Sequence, residues 1–156
     1  MEGLSTSHHT IVVKRTLNAP CARVFAAWQD PSALARWYMP GDDNWTARIL
    51  EHDFRVGGRK RLSFGPRGEM PFEEDCRYED IVDGARLCFC MTILRGKQRI
   101  TTSMVTVQFF PRGPATERVV TDQLVILDGG DTAGDRERGW GETLDKLPAE
   151  LNRMTH

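Results

Sequence analysis

Asp122 is the residue of this sequence best placed for acid–base chemistry. It lies in a β-rich segment and shares strand parity with the aliphatic residues Val120, Leu124 and Ile126. Residues of one parity point to one face of a strand, so this carboxylate lies on an apolar face. Burial raises the pKa of a carboxyl group unless charges or hydrogen bonds compensate, and such a group can serve as an acid, a base or a ligand anchor. The alternative is a carboxylate at the rim, paired with Arg118 or another arginine.

No other group of residues has the spacing of a catalytic or metal site. Cys21, Cys76, Cys88 and Cys90 show neither a CxxC spacing nor a matching pair of histidines, so we expect reduced thiols in a cytoplasmic protein. Residues 51–53 place a histidine between two carboxylates, but consecutive strand residues point to opposite faces. Neither a Ser/His/Asp nor a Cys/His arrangement can be recognised, so we predict no catalytic residue, no metal and no cofactor.

Aromatic side chains are the best candidates for contact with a ligand, because they supply apolar area and because Tyr and Trp add a polar atom. With the carboxylate described above and one leucine of the last helix, the candidate ligand-binding residues are Trp37, Tyr38, Phe54, Phe64, Tyr78, Phe89, Asp122, Trp140 and Leu144. The alternative is that these residues simply fill the core, which needs large apolar groups whatever the function.

The C-terminal segment has the clearest periodicity of the chain. Trp140, Leu144, Leu147, Leu151 and Met154 recur at spacings of 4, 3, 4 and 3 residues. This pattern predicts one long amphipathic helix with a single apolar stripe. Pro148 removes one backbone hydrogen bond and crowds the preceding turn, so we expect a bend at residues 144–148.

The elements before this helix follow a simple order. A β-branched run at residues 11–17 predicts a first strand, and we expect residues 1–10 to form a flexible tail. Two short helices follow, the second beginning at Asp30-Pro31 with a cap and a proline at its first position. Alternating segments from Trp45 to Leu127 predict six further strands. The predicted fold is a single α+β domain, 1–156, of the helix-grip type: a curved antiparallel sheet of about six or seven strands around the C-terminal helix.

Asp83-Gly84 predicts a two-residue hairpin turn that sets the register of the segments 73–82 and 85–93. The predicted inward face consists of Cys76, Tyr78, Val82, Ala85, Leu87, Phe89 and Met91. The predicted outer face consists of Asp75, Arg77, Glu79, Arg86, Cys88 and Cys90. We also expect the acidic run Glu73, Glu74 and Asp75 and the basic residues Arg55, Arg59, Lys60, Arg61 and Arg67 to decorate solvent-exposed faces of adjacent strands.

Length and charge limit the classes of partner. The 156 residues suit one domain, and 21 Lys and Arg against 22 Asp and Glu leave a formal charge of −1. This balance gives no reason to expect binding to nucleic acid. No stretch approaches the ~18 apolar residues of a membrane span. The oligomeric state stays open, and a homodimer is compatible with the sequence.

Several short strings, taken in order, resemble one family over residues 11–151. They are Ala19-Pro20 with Val24-Phe25-Ala26-Ala27-Trp28, Asp30-Pro31 with Leu34 and Trp37-Tyr38, Asp53 to Arg59, Tyr78 with Asp80-Ile81-Val82, Val105 to Val107, Thr121 to Gln123, Leu127 to Gly129, and Gly139-Trp140 with Leu144 to Leu147. The chain resembles the START-like helix-grip (SRPBCC) superfamily, and within it the AHSA-type branch, named for an activator of a heat-shock chaperone ATPase.

The resemblance implies a cavity between the sheet and the C-terminal helix that binds a hydrophobic or amphipathic small molecule. Some members of the superfamily catalyse cyclisation or hydrolysis, which leaves open an enzyme that uses Asp122 or Tyr78 as acid or base. A third possibility is a co-chaperone-like module that docks a protein on the outer face of the sheet. The namesake co-chaperone has a separate N-terminal domain that this sequence lacks, so we do not expect a chaperone partner. Fold alone does not decide among these functions.

Overall fold

The computed structural model describes residues 4–154, which form one antiparallel sheet covered on one face by helices. The elements in chain order are β1 (Thr6–Leu17), α1 (Cys21–Gln29), α2 (Pro31–Trp37), β2 (Trp45–His52), β3 (Arg59–Pro66), β4 (Phe72–Val82), β5 (Arg86–Arg95), β6 (Gln98–Arg112), β7 (Ala115–Leu127), α3 (Ala133–Asp145) and α4 (Leu147–Met154). The seven strands lie in the order β1-β7-β6-β5-β4-β3-β2. This arrangement confirms the predicted α+β helix-grip fold.

β1 is longer than the sequence predicted. Residues 6–10, which we expected in a flexible tail, pair with β7, and Thr6 lies opposite Leu127. Ser5 also accepts a hydrogen bond from the backbone N–H of Asp128 at 2.9 Å. The pattern misses this part of the strand because its side chains are polar and exposed, and only the partner strand holds it in place. The tail prediction for residues 1–3 lies outside the described residues.

The two early helices are divided where the sequence predicted. Asp30 caps α2 by accepting a hydrogen bond from the backbone N–H of Ser32 at 3.0 Å, and Pro31 occupies the first helical position. Trp28 of α1 and Trp37 of α2 pack edge to face with ring centroids 4.9 Å apart. This aromatic contact, together with the cap, fixes the angle between the two helices.

The C-terminal helix is bent, as predicted, and the bend divides it into α3 and α4 at Lys146. Pro148 has no N–H to donate to the carbonyl oxygen of Leu144, so one bond of the helix is missing at this point. Just before it, the N–H of Lys146 donates to the carbonyl oxygen of Thr143, three residues back, at 3.2 Å. The apolar stripe is buried as predicted at Trp140, Leu144, Leu147 and Leu151. The side chain of Met154 lies outside the part of the chain whose burial is described.

The hairpin formed by β4 and β5 differs from the predicted register at its tip. The pairing shifts by one residue at Glu79, which forms a β-bulge. Beyond the bulge the parity of β4 reverses, so Ile81 is half-buried whereas Val82 is exposed. Ala85, also predicted inward, is exposed in a connection of three residues, 83–85, rather than two. Residues before the bulge and on β5 keep the predicted face, and the buried ones are Cys76, Tyr78, Leu87, Phe89 and Met91.

Two glycines attach the β2–β3 connection to β4. The N–H of Gly57 donates to the carbonyl oxygen of Tyr78 at 2.8 Å, and the N–H of Tyr78 donates to that of Gly58 at 3.0 Å. A Cβ atom at Gly58 would lie 2.1 Å from the carbonyl oxygen of Asp53, whereas a Cβ atom at Gly57 would meet open space. Gly57 has a φ of 83°, so the two glycines are required for different reasons, space at Gly58 and backbone conformation at Gly57.

We expect Gly58→Ala to lower the free energy of unfolding by at least about 2 kcal/mol, because the loop backbone must move away from the new methyl group. Gly57→Ala is the matched control and is expected to cost only about 1 kcal/mol, the strain of an L-residue in the left-handed region. Urea denaturation of both variants measures the difference. Equal losses would show that Asp53 moves aside freely.

Candidate ligand-binding cavity

A cavity of about 760 Å³ lies between the helix-covered face of the sheet, α3 and the loop that follows α2. Strands β3 to β6 supply its floor. Residues of α3 between Asp135 and Thr143, together with the loop 129–132 before it, supply its roof. A cavity of this size matches the pockets that hold drug-sized molecules.

The sequence of α3 explains why a cavity forms here. Its first seven residues, 133–139, include no large apolar side chain, so this half of the helix cannot pack closely against the apolar residues of the sheet. Trp140 is the first large apolar residue of α3, and it is buried. The apolar surface of the sheet beneath residues 133–139 is therefore left partly uncovered.

One side of the cavity is a stack of three aromatic rings, Trp45, Phe64 and Phe72, which we call the aromatic wall. The rings of Trp45 and Phe72 are 5.9 Å apart with an interplanar angle of 17°, and those of Phe64 and Phe72 are 5.4 Å apart at 21°. Trp45 and Phe72 are only half-buried. The aromatic wall thus offers an apolar surface that reaches from the interior to the mouth of the cavity.

An ion pair lies at the inner end of the aromatic wall. Lys60 Nζ lies 3.2 Å from Glu74 Oε2, and the two residues are only 1% and 5% exposed. This corrects the expectation that both residues lie on solvent-exposed faces. Lys60 alternates with the outward Arg59 and Arg61 and therefore shares the inward face of β3. The flanking acidic residues do lie on the outer face, as predicted, where Glu73 pairs with Arg61 at 2.9 Å and Asp75 with Arg59 at 2.8 Å.

Glu74 is surrounded by hydrogen-bond donors, and we call this set the Glu74 cluster. Besides Lys60, its carboxylate accepts hydrogen bonds from the Tyr38 hydroxyl at 3.2 Å and the Cys76 thiol at 3.1 Å. The ammonium of Lys60 also lies 4.1 Å from the centre of the Tyr38 ring and 4.5 Å from that of Phe89. These contacts offset the cost of burying two charges.

The pKa values of the donors in the Glu74 cluster are raised, so these groups stay protonated at neutral pH. Burial is the largest single effect on Lys60 and lowers its pKa, but the negative charge of Glu74 together with the nearby Tyr38, Cys76 and Tyr78 outweighs it, so the pKa of Lys60 lies above its usual value. Burial, and then the charge of Glu74, raises the pKa of the Tyr38 hydroxyl. At neutral pH, Tyr38 is therefore a hydrogen-bond donor. Glu74 itself lines the cavity.

His52 and Tyr78 form a second polar contact behind the Glu74 cluster, with His52 Nε2 and the Tyr78 hydroxyl oxygen 2.9 Å apart. Burial, and next the positive charge of Lys60, lowers the pKa of His52 to about 4. Burial raises the pKa of Tyr78. At neutral pH both groups are thus uncharged and share one hydrogen bond.

Asp122 is fully buried and joins α3 to the sheet. Its Oδ2 atom accepts a hydrogen bond from Arg136 Nη1 at 2.9 Å and a second from Trp140 Nε1 at 2.9 Å. Arg136 also donates to the hydroxyl groups of Ser103, at 3.3 Å, and Thr101. Of the two alternatives raised by the sequence, the structure shows an ion pair with an arginine, but it places that pair inside the domain rather than at the rim.

Arg118 is the buried charge that has no partner. Its side chain is fully buried, and its three guanidinium nitrogens have no hydrogen-bond partner among the described residues. Burial, and then the nearby charge of Arg15, lowers the pKa of Arg118 to about 10. The sequence offered Arg118 as a partner of Asp122, but Asp122 binds Arg136 instead. Arg118 therefore carries the cost of burial without the compensation of an ion pair.

Three of the nine candidate ligand-binding residues, Tyr38, Phe64 and Trp140, line the cavity. The other six belong to the surrounding structure without lining it, and they are Trp37, Phe54, Tyr78, Phe89, Asp122 and Leu144. Ligand binding by any of the nine stays a prediction. Sequence reasoning missed Phe72 and Glu74 on β4, although they share strand parity with Cys76 and Tyr78, which were assigned to the inward face. The two preceding residues of the same parity are Glu74 and Phe72, so extending the alternation toward the start of β4 would have found both.

The described residues contain no group of three or more His, Cys, Asp and Glu side chains that could hold a metal ion. The four cysteines form no disulfide. None of the helices in residues 4–154 is long and apolar enough to cross a membrane.

A sheet wrapped on a bent C-terminal helix, with a cavity between the two, defines a protein of the START-like helix-grip class. The chain belongs to the family of activator of Hsp90 ATPase homolog 1-like proteins, whose family model matches residues 18–152. This confirms the resemblance found in the sequence. Proteins of this superfamily often bind hydrophobic ligands.

Solved structures share the fold over almost the whole chain. An uncharacterised protein from Rhizobium leguminosarum is 35% identical with a TM-score of 0.85, covering 96% of this chain and 98% of that one. The Mll3558 protein from Rhizobium loti is 34% identical with a TM-score of 0.83, over 94% and 99% of the two chains. Protein CV1439 from Chromobacterium violaceum is 26% identical with a TM-score of 0.81, over 91% and 96%. No curated protein matches the chain.

We predict that His52 makes the folded protein sensitive to acid. The unfolded chain takes up a proton on this histidine below its ordinary pKa of about 6.5, whereas the folded protein takes it up only near 4. Stability is therefore lost as the pH falls from about 6.5 to about 4. His52 is partly solvated, so we expect about 1–2 kcal/mol. His52→Gln keeps a hydrogen-bonding side chain and should lose less stability between pH 7 and pH 4.5 in urea denaturation. Equal losses would contradict the low pKa.

Two arginine-to-methionine variants are expected to change stability in opposite directions. Arg118→Met removes an unpaired buried charge and should raise the free energy of unfolding by about 1–3 kcal/mol. Arg136→Met leaves the Asp122 carboxylate buried without its counter-charge and should lower it by about 3 kcal/mol. Urea denaturation at pH 7 measures both. A loss of stability in Arg118→Met would show that the guanidinium is compensated in solution, for example by ordered water.

Proposed function

We propose that this protein binds a hydrophobic or amphipathic small molecule in the cavity between the sheet and α3. The observation that supports this proposal is the two-sided lining: an aromatic wall leads from the half-buried mouth to the buried Glu74, and polar and charged residues of α3 and of the loop before it lie on the other side. Small-molecule sites combine apolar walls with placed polar groups, and a cavity with one aromatic and one polar side suits an amphipathic molecule. Each 100 Å² of apolar surface that a ligand covers contributes about 2.5 kcal/mol, from which the cost of association is subtracted.

The residues suggested for catalysis do not favour an enzyme. Asp122 does not line the cavity, and its Oδ2 atom is occupied by Arg136 and Trp140. Tyr78 also lies away from the cavity and contacts His52. A general acid or base must come within hydrogen-bond reach of the reacting group, so we propose binding rather than catalysis through either residue.

A protein-docking role on the outer face of the sheet is likewise less well supported. Val12 and Met104 are exposed large apolar residues of this face. Strand β7 lies between their strands, and it places Thr121 opposite Val12 and Gln123 opposite Met104. A docking surface for another protein usually needs a contiguous apolar patch. We therefore place the functional site in the cavity.

The proposal is tested with Prodan, an uncharged fluorescent naphthalene ketone without a hydrogen-bond donor. Its emission shifts to the blue when it enters an apolar site, and we expect saturable binding in the micromolar range. Ile93→Trp fills the cavity from β5, because Ile93 lines it, and should weaken Prodan binding by at least about tenfold, that is by about 1.4 kcal/mol. The matched control is Thr92→Trp, which places the same ring on the opposite face of the same strand.

Both variants are first checked for cooperative thermal unfolding by circular dichroism. Prodan binding that is unchanged in Ile93→Trp would remove the cavity as the binding site. Equal weakening in the two variants would show that the effect comes from a general perturbation of β5.

A further inference from the structure

We infer that the cavity takes a flat aromatic molecule with an uncharged hydroxyl group at its inner end, and that this hydroxyl donates a hydrogen bond to Glu74. This inference rests on the proposed function and names the ligand class of the same site. It is carried by three features: a carboxylate with spare acceptor capacity, an adjacent fixed positive charge, and an aromatic wall at a suitable distance.

Glu74 has room for one more donor. An ionised carboxylate has about four lone-pair sites. Glu74 Oε1 accepts from the Tyr38 hydroxyl, whereas Oε2 accepts from the Cys76 thiol and pairs with Lys60. The residue lines the cavity, so a ligand donor can reach the remaining site on Oε1. The partner that this atom selects is an O–H or N–H group.

The charge of Lys60 selects an uncharged donor over a cation. Its ammonium lies 3.2 Å from Glu74 Oε2 and already compensates the carboxylate. A ligand ammonium bound to Glu74 would lie within a few ångströms of this second positive charge in a poorly solvated site, where like charges repel strongly. A ligand carboxylate or phenolate would face the negative charge of Glu74. A neutral hydroxyl avoids both costs.

The aromatic wall selects a flat ring. The Phe72 ring lies within 21° of Phe64 and within 17° of Trp45, whereas Trp45 and Phe64 are tilted by 38° to each other, so Phe72 is the ring whose plane the other two most nearly share. Phe72 and Glu74 are successive inward residues of β4, which places them about 7 Å apart along the strand. A two-ring aromatic molecule packed along Phe72 therefore reaches Glu74 with a hydroxyl on its far ring. Offset stacking on aromatic side chains adds to the apolar contribution.

The test compares three naphthalenes as competitors of Prodan at pH 7. The compounds are 2-naphthol, 2-methoxynaphthalene, which lacks the donor, and 2-(aminomethyl)naphthalene, which carries a cationic donor. A hydrogen bond to a buried charged acceptor corresponds to a preference of about tenfold or more. We expect 2-naphthol to bind at least about tenfold more tightly than either of the other two.

A pair of variants tests whether Glu74 is the acceptor. Glu74→Gln keeps an oxygen at this position and should retain part of the preference for 2-naphthol, but it leaves the Lys60 charge uncompensated and can unfold the protein. The double variant Lys60→Met with Glu74→Leu replaces the whole pair with apolar side chains, which proteins tolerate far better than the loss of one partner. This double variant should still bind Prodan and should lose the preference for 2-naphthol over its methyl ether.

The outcomes separate the ligand class from the proposed function. If Prodan does not bind the wild-type protein, the proposed function fails. If Prodan binds but 2-naphthol and 2-methoxynaphthalene compete equally, or neither competes, the inference fails and the proposed function stands. Tighter binding of the ammonium compound would overturn the uncharged class. A preference for 2-naphthol that persists in the double variant would remove Glu74 as the acceptor.

Discussion

The attachment of α3 to the sheet through Asp122 is the interaction on which the rest of the site depends. One buried carboxylate oxygen binds Arg136 and Trp140, which are four residues apart and therefore on one face of the helix. The first half of α3 has no apolar face of its own. Charge-assisted hydrogen bonds thus hold it at a distance from the sheet that apolar packing would have closed. The cavity is the space that remains because hydrogen bonds, rather than apolar packing, attach this half of α3 to the sheet.

The Glu74 cluster gives this space a polar inner end. Burying Lys60 and Glu74 costs free energy that their mutual attraction, the Tyr38 and Cys76 hydrogen bonds and the contacts of the ammonium with aromatic rings offset. A pair of apolar residues would stabilise the fold as well or better, so stability alone does not account for a carboxylate at the cavity wall. Under the proposed function, this carboxylate orients an otherwise apolar ligand.

Local patterns predicted much of the architecture because the relevant physics is local. The cap at Asp30, the proline that bends the last helix at Pro148 and the period of the apolar stripe act within a few residues, and the structure agrees with each. The sequence prediction was wrong where pairing between strands determined the structure. Val82 turns outward because a bulge at Glu79 reverses the parity of β4, and residues 6–10 form a strand because β7 holds them.

The amino-acid sequence by itself determined the fold class, the order of the elements and the alternation that makes one face of each strand apolar. Only the tertiary structure decided the site. The sequence pattern predicted Lys60 and Glu74 as solvated charges on neighbouring strands. Both are buried because helices cover the face of the sheet to which they point. Asp122 could have paired with Arg118, yet the path of α3 brings Arg136 to it. Burial and charge pairing depend on elements far apart in the chain, so periodicity cannot reveal them.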